Sequence, residues 1–186
     1  LDSTFGAEGV TFSVVGTDPT DGSSINASGK MGEVSGKSSM TMPEGVNMEQ
    51  IDAALNAGLK MSADATFGAG EFSLEANDGA APVTITSTSA GGDFMFTMSK
   101  DALDYAINGG KTELAMTTGQ LPFPINASVA ETAFRLAMPM GKSDTPAPYA
   151  AVLRIVDLAV SEELWGTFDP TGQLPHDPAT LVIDLS

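Results

Sequence analysis

Residues 71–76 read EFSLEA, and this short stretch decides the fold prediction. Its second, fourth and sixth residues are apolar, whereas the residues between them are Glu, Ser and Glu. Successive side chains of a strand point to opposite faces, so strict alternation predicts a strand with one buried face and one solvent-facing face. That pattern is typical of antiparallel sheets.

Similar patterns extend toward the amino terminus. Residues 9–17 are rich in β-branched and aromatic side chains and are followed by a turn sequence at 18–22. Residues 24–42 alternate around small side chains and are predicted as a hairpin of weak strands. Toward the carboxyl terminus, residues 83–88 and 93–98 are predicted to form a second hairpin across the glycines between them.

Short helices are predicted between the strands. Residues 47–58 start at a capping Asn47, carry an apolar stripe and end at Gly58, which suits a left-handed closing residue. A second helix is predicted at 100–108, after Ser99.

Residues 149–160 fit two structures. Their β-branched content and the cap-like Ser161 that follows favour a strand, and a helix that starts near Pro148 is the alternative. Together, these elements predict a mainly β protein: one curved, meander-like antiparallel sheet with two or three short helices packed across it. Residues 1–186 are predicted to be a single β-rich domain.

Charge limits the partners. The chain has 24 acidic and 8 basic residues, a formal charge of −16. Such a protein repels nucleic-acid phosphates and anionic lipid headgroups. The sequence contains no apolar run of 18 residues, so no membrane-spanning segment is predicted. It also contains no cysteine, so neither a disulfide nor a thiolate site is predicted. Because the sequence begins with Leu1, we interpret it as a segment of a longer protein.

Residues 161–186 carry the only family signature. The runs Glu-Glu-Leu-Trp at 162–165, Phe-Asp-Pro at 168–170 and Asp-Pro-Ala-Thr-Leu-Val-Ile-Asp-Leu at 177–185 resemble the bacterial family called domain of unknown function 2125. The resemblance implies an exported, periplasmic protein of alphaproteobacterial type. It also implies a distant kinship with AsmA-like envelope proteins, whose β-sheets can form lipid-accommodating grooves. The family brings no catalytic residues.

No catalytic, cofactor or metal site is predicted. His176 is the only histidine and lies between two prolines, which is typical of a loop residue. Asp18 and Asp21 lie in a turn whose spacing does not fit a calcium loop. No Gly-x-Ser-x-Gly elbow or phosphate-binding glycine loop occurs.

Methionine and phenylalanine recur on the predicted strands. Methionine adapts its shape and is common at promiscuous apolar surfaces. These side chains can form the core, or one face can accommodate an apolar ligand. The residues predicted to face such a ligand are Met95, Phe96, Met98, Phe134 and Met138.

The sequence therefore predicts a non-catalytic envelope protein that accommodates an apolar or lipid ligand. The alternative is a structural or interaction module that assembles through an edge strand, because residues 180–185 form an apolar run at the end of the chain. An uncharacterised hydrolase is the weakest alternative. It would need a pocket that converges on His176 with two acids.

Overall fold

The computed structural model describes residues 1–46, 49–78, 81–141 and 149–185. In these residues the chain forms fourteen strands and two short helices. The elements are β1 (Asp2–Ala7), β2 (Val10–Thr17), β3 (Ser24–Met31), β4 (Val34–Thr41), α1 (Ile51–Asn56), β5 (Lys60–Phe67), β6 (Gly70–Asn77), β7 (Pro82–Ser89), β8 (Gly92–Met98), β9 (Ala102–Gly109), β10 (Thr112–Thr118), β11 (Ile125–Val129), β12 (Glu131–Pro139), β13 (Ala150–Val160), α2 (Glu162–Phe168) and β14 (Ala179–Leu185).

All fourteen strands belong to one antiparallel sheet that does not close on itself. Its order is β1-β4-β5-β8-β9-β12-β13-β11-β10-β7-β6-β3-β2, and β14 pairs with β13. The prediction of a mainly β, antiparallel meander with short helices is therefore confirmed.

Twelve of these strands are halves of six long strands. Met31 pairs with Gly70, and Val34 pairs with Phe67. From the first pair to the second, the residue number rises by three in one strand and falls by three in its antiparallel neighbour. The register is thus unchanged where β3 gives way to β4 and β6 to β5. The same continuity joins β1 to β2, β7 to β8, β9 to β10 and β11 to β12. With β13 and β14, the sheet is an eight-strand meander in chain order.

A line of small residues interrupts the long strands and corrects the two predicted hairpins. β3 and β4 form one strand, as do β7 and β8, so the hairpin predictions for 24–42 and 83–98 are wrong. The ladder continues through the interruption, where the Gly110 N–H donates to the Gly91 carbonyl (2.7 Å) and the Ala90 N–H to the Lys111 carbonyl (2.8 Å). Gly91 has a φ of 91°. Because Gly91 has no side chain, the strand can kink there. A kink and a turn produce the same glycine-rich break in the sequence, so the sequence alone does not distinguish them.

The helix predicted at 100–108 is also wrong, because this segment is strand β9. Ser99 Oγ accepts hydrogen bonds from the N–H groups of Asp101 (3.2 Å) and Ala102 (3.3 Å), which forms a tight turn between β8 and β9. A serine serves equally well in such a turn or at a helix start. The spacing of four between Leu103 and Ile107 fits both periods, and Tyr105 between them fits only the strand.

Helix α1 is confirmed with shorter bounds than predicted. Asn47, its predicted cap, lies outside the described residues. Gly58 has a φ of 109° and closes the helix as predicted. Its N–H donates to the Leu55 carbonyl (3.0 Å) and the Leu59 N–H to the Ala54 carbonyl (2.9 Å), a Schellman motif.

The segment at 149–160 is strand β13, so the favoured reading is confirmed. Helix α2 follows directly, with Ser161 at its N-cap position. A loop then leads to β14, which returns to pair with β13. The signature at 161–186 is thus a helix, a loop and a strand at one edge of the sheet.

Candidate functional site

The hydrogen-bonding pattern reveals which side of the sheet each side chain takes. In a strand of L-residues, the residues whose backbone groups point to one neighbour all place their side chains on one face. Leu1 and Met40 exchange two backbone bonds of 2.7 Å, so odd residues of the first long strand point to the second there. Near the other end of the same strand, the Asp18 N–H donates to the Ser23 carbonyl (2.8 Å), so there the even-numbered residues point to the second long strand.

The fourth long strand shows the same shift. The Ser99 N–H bonds to Ala102 at one end, and the Gly119 N–H bonds to Pro82 at the other, so the bonded residues change from odd to even. Ala90 and Gly91 are adjacent, and both form backbone hydrogen bonds to the fifth long strand. In a regular strand only every second residue would do so, so the shift lies at this interruption. Each long strand therefore changes its side-chain alternation by one residue at the kink line.

The sequence changes its alternation at the same line. Leu1 and Phe5 are odd-numbered before the kink, whereas Val10, Phe12 and Val14 are even-numbered after it. The two shifts cancel, so most of the large apolar side chains, and all the aromatic ones of the strands, stay on one side of the whole sheet. We call this side the apolar face. Its large members are Leu1, Phe5, Val10, Phe12, Val14, Ile25, Met31, Val34, Met40, Met61, Phe67, Phe72, Leu74, Val83, Ile85, Phe94, Phe96, Met98, Leu103, Tyr105, Ile107, Leu114, Met116, Ile125, Val129, Phe134, Leu136, Met138, Leu153, Ile155, Leu158, Val160, Leu181, Ile183 and Leu185.

Aromatic contacts run across neighbouring strands on the apolar face. Tyr105 lies edge-on to Phe94 and to Phe134, with ring centroids 5.4 and 5.9 Å apart. The centroids of Phe12 and Phe72 are 6.3 Å apart, on either side of a glycine strand position. Pairs on directly neighbouring strands, such as the two that Tyr105 makes, stabilise a sheet by about 0.2–1 kcal/mol each.

The rings of three phenylalanines occupy the space above glycines on the neighbouring strand. Phe5 covers its pairing partner Gly36, where an added Cβ would lie 2.5 Å from the ring. Phe12 covers Gly29 and Phe67 covers Gly92 in the same way. The rings shield the glycine backbone, and the glycines keep the surface of the apolar face smooth.

Much of the apolar face is open to solvent, and none of its large members given above is buried. Phe5 is 49% exposed, Phe12 50% and Met138 38%. The protein exposes 12189 Å² at a mass of 19.0 kDa. A compact monomer of that mass exposes about 8,400 Å². The excess, about 3,800 Å², is the signature of a sheet that lacks a covering layer.

Helix α1 covers one end of this face. Ala54, Leu55 and Leu59 are fully buried there and form the core cluster of the described chain. They pack against Met40, Val46, Met61, Met98 and Met140. Methionines thus fill the junction between helix and sheet, and the phenylalanine-rich surface beyond them stays open.

The opposite side, which we call the polar face, carries the charges of the strands. Ion pairs lie across its strands: Lys30 with Glu71 (3.4 Å), Lys37 with Asp64 (3.9 Å) and Arg135 with Asp104 (3.1 Å). All are exposed and contribute little stability. No Asp, Glu, Lys or Arg of the described strands occupies a position on the apolar face.

The structure brings four of the five predicted ligand-facing residues together. Phe96, Met98, Phe134 and Met138 lie on the apolar face, and β8 and β12 are both hydrogen-bonded to β9 between them. Met95 lies on the polar face, between the two phenylalanines that face the other way. Sequence reasoning did not include Phe5 or Phe12 in this face, since it took the interruptions within 24–42 and 83–98 as turns and did not follow the alternation through them.

A polar cluster joins α2 to the loop before β14. The ring of His176 stacks on Trp165 with centroids 4.9 Å apart, and its Nδ1 lies 2.8 Å from Glu162 Oε2. Its Nε2 lies 3.7 Å from Asp169 Oδ2. The hydrogen bond to Glu162 raises the pKa of His176, whereas the hydrogen bond from the Leu174 N–H (2.6 Å) lowers the pKa of Asp169.

This cluster has the contacts of a structural clamp. The Asp169 carboxylate is buried and is occupied by the Leu174 N–H and the Thr171 hydroxyl. Two acids do approach His176, as the hydrolase alternative requires, but the ring is stacked on Trp165 and the Asp169 carboxylate is engaged by other groups. No group of three metal-ligating side chains occurs in the described part of the chain. An open hollow of about 430 Å³ elsewhere is lined by Thr86, Asn126 and Ser128, with Glu113 as its ionisable group.

Comparisons with protein-family models, curated proteins and solved structures found no match to this chain. Neither helix of the described residues is long and apolar enough to cross a membrane.

Proposed function

We propose that this chain is a non-catalytic protein of the bacterial cell envelope that accommodates an apolar or lipid ligand on its apolar face. The observation that carries the proposal is the size of that face. Large side chains along it are exposed, among them Phe5 (49%), Phe12 (50%) and Ile183 (42%), and the whole chain exposes roughly 3,800 Å² more surface of all kinds than a compact chain of its mass. Monomeric proteins rarely expose contiguous apolar patches above a few hundred Å², and larger patches mark binding sites.

The periplasmic location rests on the resemblance of residues 161–186 to an exported family, with its distant AsmA-like kinship. The aromatic and methionine content of the apolar face supports the ligand class, because such side chains adapt to flexible chains. Tyr105 and the phenylalanines around it offer a broad, smooth surface with few donors. This surface suits recognition that is dominated by apolar contact.

Two matched variants test the proposal. Met138→Asp places a carboxylate on the apolar face, whereas Met95→Asp makes the same change on the polar face. Binding of the uncharged dye N-phenyl-1-naphthylamine is measured by fluorescence, and circular dichroism checks that both variants fold. We expect Met138→Asp to weaken dye binding at least tenfold and Met95→Asp to change it less than twofold. Equal effects, or no dye binding by the unaltered chain, would refute the proposal.

Native mass spectrometry of the protein purified from its source provides a second test. A bound apolar molecule that is released by organic solvent is the expected result. A ligand-free monomer with no co-purifying lipid would count against the proposed function.

The edge strand supports a second candidate function, assembly with another protein. β14 pairs with β13 on one side, and all seven of its residues are exposed. Leu181 and Val182 lie on opposite faces and are 48% and 55% exposed. An exposed apolar edge is a template for another strand. Size-exclusion chromatography with light scattering tests self-association, and Val182→Lys should abolish any assembly that uses this edge.

A further inference from the structure

The polar groups on the apolar face are all of one chemical kind. Between the large apolar side chains, the strands place hydroxyl groups, which include those of Ser38, Ser87, Tyr105 and Thr132. A hydroxyl can donate to or accept from an uncharged oxygen. No ammonium, guanidinium or carboxylate of the described strands accompanies them on this face.

The charges of the sheet lie behind this face and are mostly acidic. The chain carries 24 acids against 8 bases. The strand cations Lys30, Lys37, Lys60, Arg135 and Arg154 all alternate onto the polar face. Lys30, Lys37 and Arg135 are paired there with acids. A carboxylate or phosphate on the apolar face would therefore enter a negative field without a partner. Desolvating an unpaired charge is costly.

We infer that the ligand of the apolar face is an uncharged lipid, such as a chain that carries hydroxyl or ester groups, and is not a fatty-acid anion. This inference rests on the proposed function and specifies its ligand class. The hydroxyl groups offer hydrogen bonds to the ligand's ester or alcohol oxygens, and the phenylalanines contact its chain. The acidic surface excludes anionic lipids of the same chain length, which is specificity by repulsion.

The experiment compares two probes that share a twelve-carbon acyl group. Monododecanoylglycerol and dodecanoate, each below its micelle concentration at pH 8, compete with N-phenyl-1-naphthylamine for the full chain. We expect the glyceride to displace the dye at a concentration at least tenfold lower than dodecanoate. Raising NaCl from 0.02 to 0.5 M, chosen to screen surface charges, should narrow this ratio.

A matched pair of lysine variants checks the origin of the ratio. Ser87→Lys introduces a cation on the apolar face, and Thr88→Lys introduces one on the polar face of the same strand. Ser87→Lys should improve dodecanoate binding at least threefold relative to the glyceride. Thr88→Lys should leave the ratio within twofold of the unaltered chain, and circular dichroism confirms that both variants fold.

The outcomes separate this inference from the proposed function. If dodecanoate displaces the dye as well as the glyceride does, the inference fails and the apolar-ligand function stands. If the dye binds but the ratio is independent of salt and of Ser87→Lys, charge does not set the specificity and the inference fails. If neither the dye nor either probe binds, the proposed function fails, and the ligand class with it.

Discussion

Leu59→Ala should destabilise this protein far more than its place just after a short helix suggests. Leu59 is completely buried, and it packs with Leu55 against methionines of the sheet. Replacing a fully buried leucine by alanine costs about 3–5 kcal/mol, because the transfer free energy is lost and a cavity remains. Leu181 on the apolar face is 48% exposed. Leu181→Ala should cost only about 1 kcal/mol, roughly half of the value for full burial.

Equilibrium unfolding in urea, followed by circular dichroism at a strand wavelength, measures both variants against the unaltered chain. The slope of free energy with urea should stay the same in each variant, because the folded and unfolded surfaces change little. A difference of less than about 1 kcal/mol between the two variants would show that the α1 cluster is not the core that the structure indicates. The inference that α1 buries one end of the apolar face while the remainder is exposed would then be refuted.

Three further predictions concern the kink line, the clamp and the open face. Gly91→Ala should destabilise more than Gly22→Ala in the same urea assay, because both glycines have positive φ but only Gly91 has backbone atoms where a Cβ would lie. The pKa of His176 is raised, chiefly by Glu162, so its ion pair should stabilise the chain fully below pH 6.5 and be lost as the pH rises through the folded-state pKa. The NMR titration of this single histidine should have a midpoint above pH 6.5, and this midpoint should be lower in Glu162→Gln. An unchanged midpoint in that variant would refute the proposed ion pair between Glu162 and His176. The urea slope should be about one fifth lower than for a compact chain of this size, because the sheet buries about 15,400 rather than about 19,200 Å² on folding.

The sequence predicts the class of this fold but not the length of its strands. The alternation at 71–76 is strict because Phe72 and Leu74 face the apolar side throughout β6. The same alternation breaks near Gly91, and a kink and a turn produce the same break. Only the hydrogen bonds that carry the ladder past Gly110 and Lys111 separate the two, and these depend on the neighbouring strand.

The candidate site was predictable in part for the same reason. Phe96, Met98, Phe134 and Met138 lie within halves of long strands where the period is regular, so counting by two places them together. Met95 differs because composition alone suggested it, whereas its odd position puts it on the polar face. The residues beyond the kink, such as Phe12, could be joined to this set only once the shift in alternation was known.

The matched shifts of backbone and sequence explain why so large an apolar surface persists without a second layer. Had the backbone kept a regular alternation through the kink line, the sequence pattern would have placed Phe5 and Phe12 on opposite sides. Each side would then hold a smaller apolar patch beside charged residues. The small residues of the kink line, glycines in five of the six long strands and Ala130 in the sixth, instead accompany a shift in each long strand, so that the strands' charge collects on one side and their aromatic side chains on the other. A chain with 24 acids thereby presents a face without charge, and that separation is the physical basis for a ligand that is apolar and uncharged.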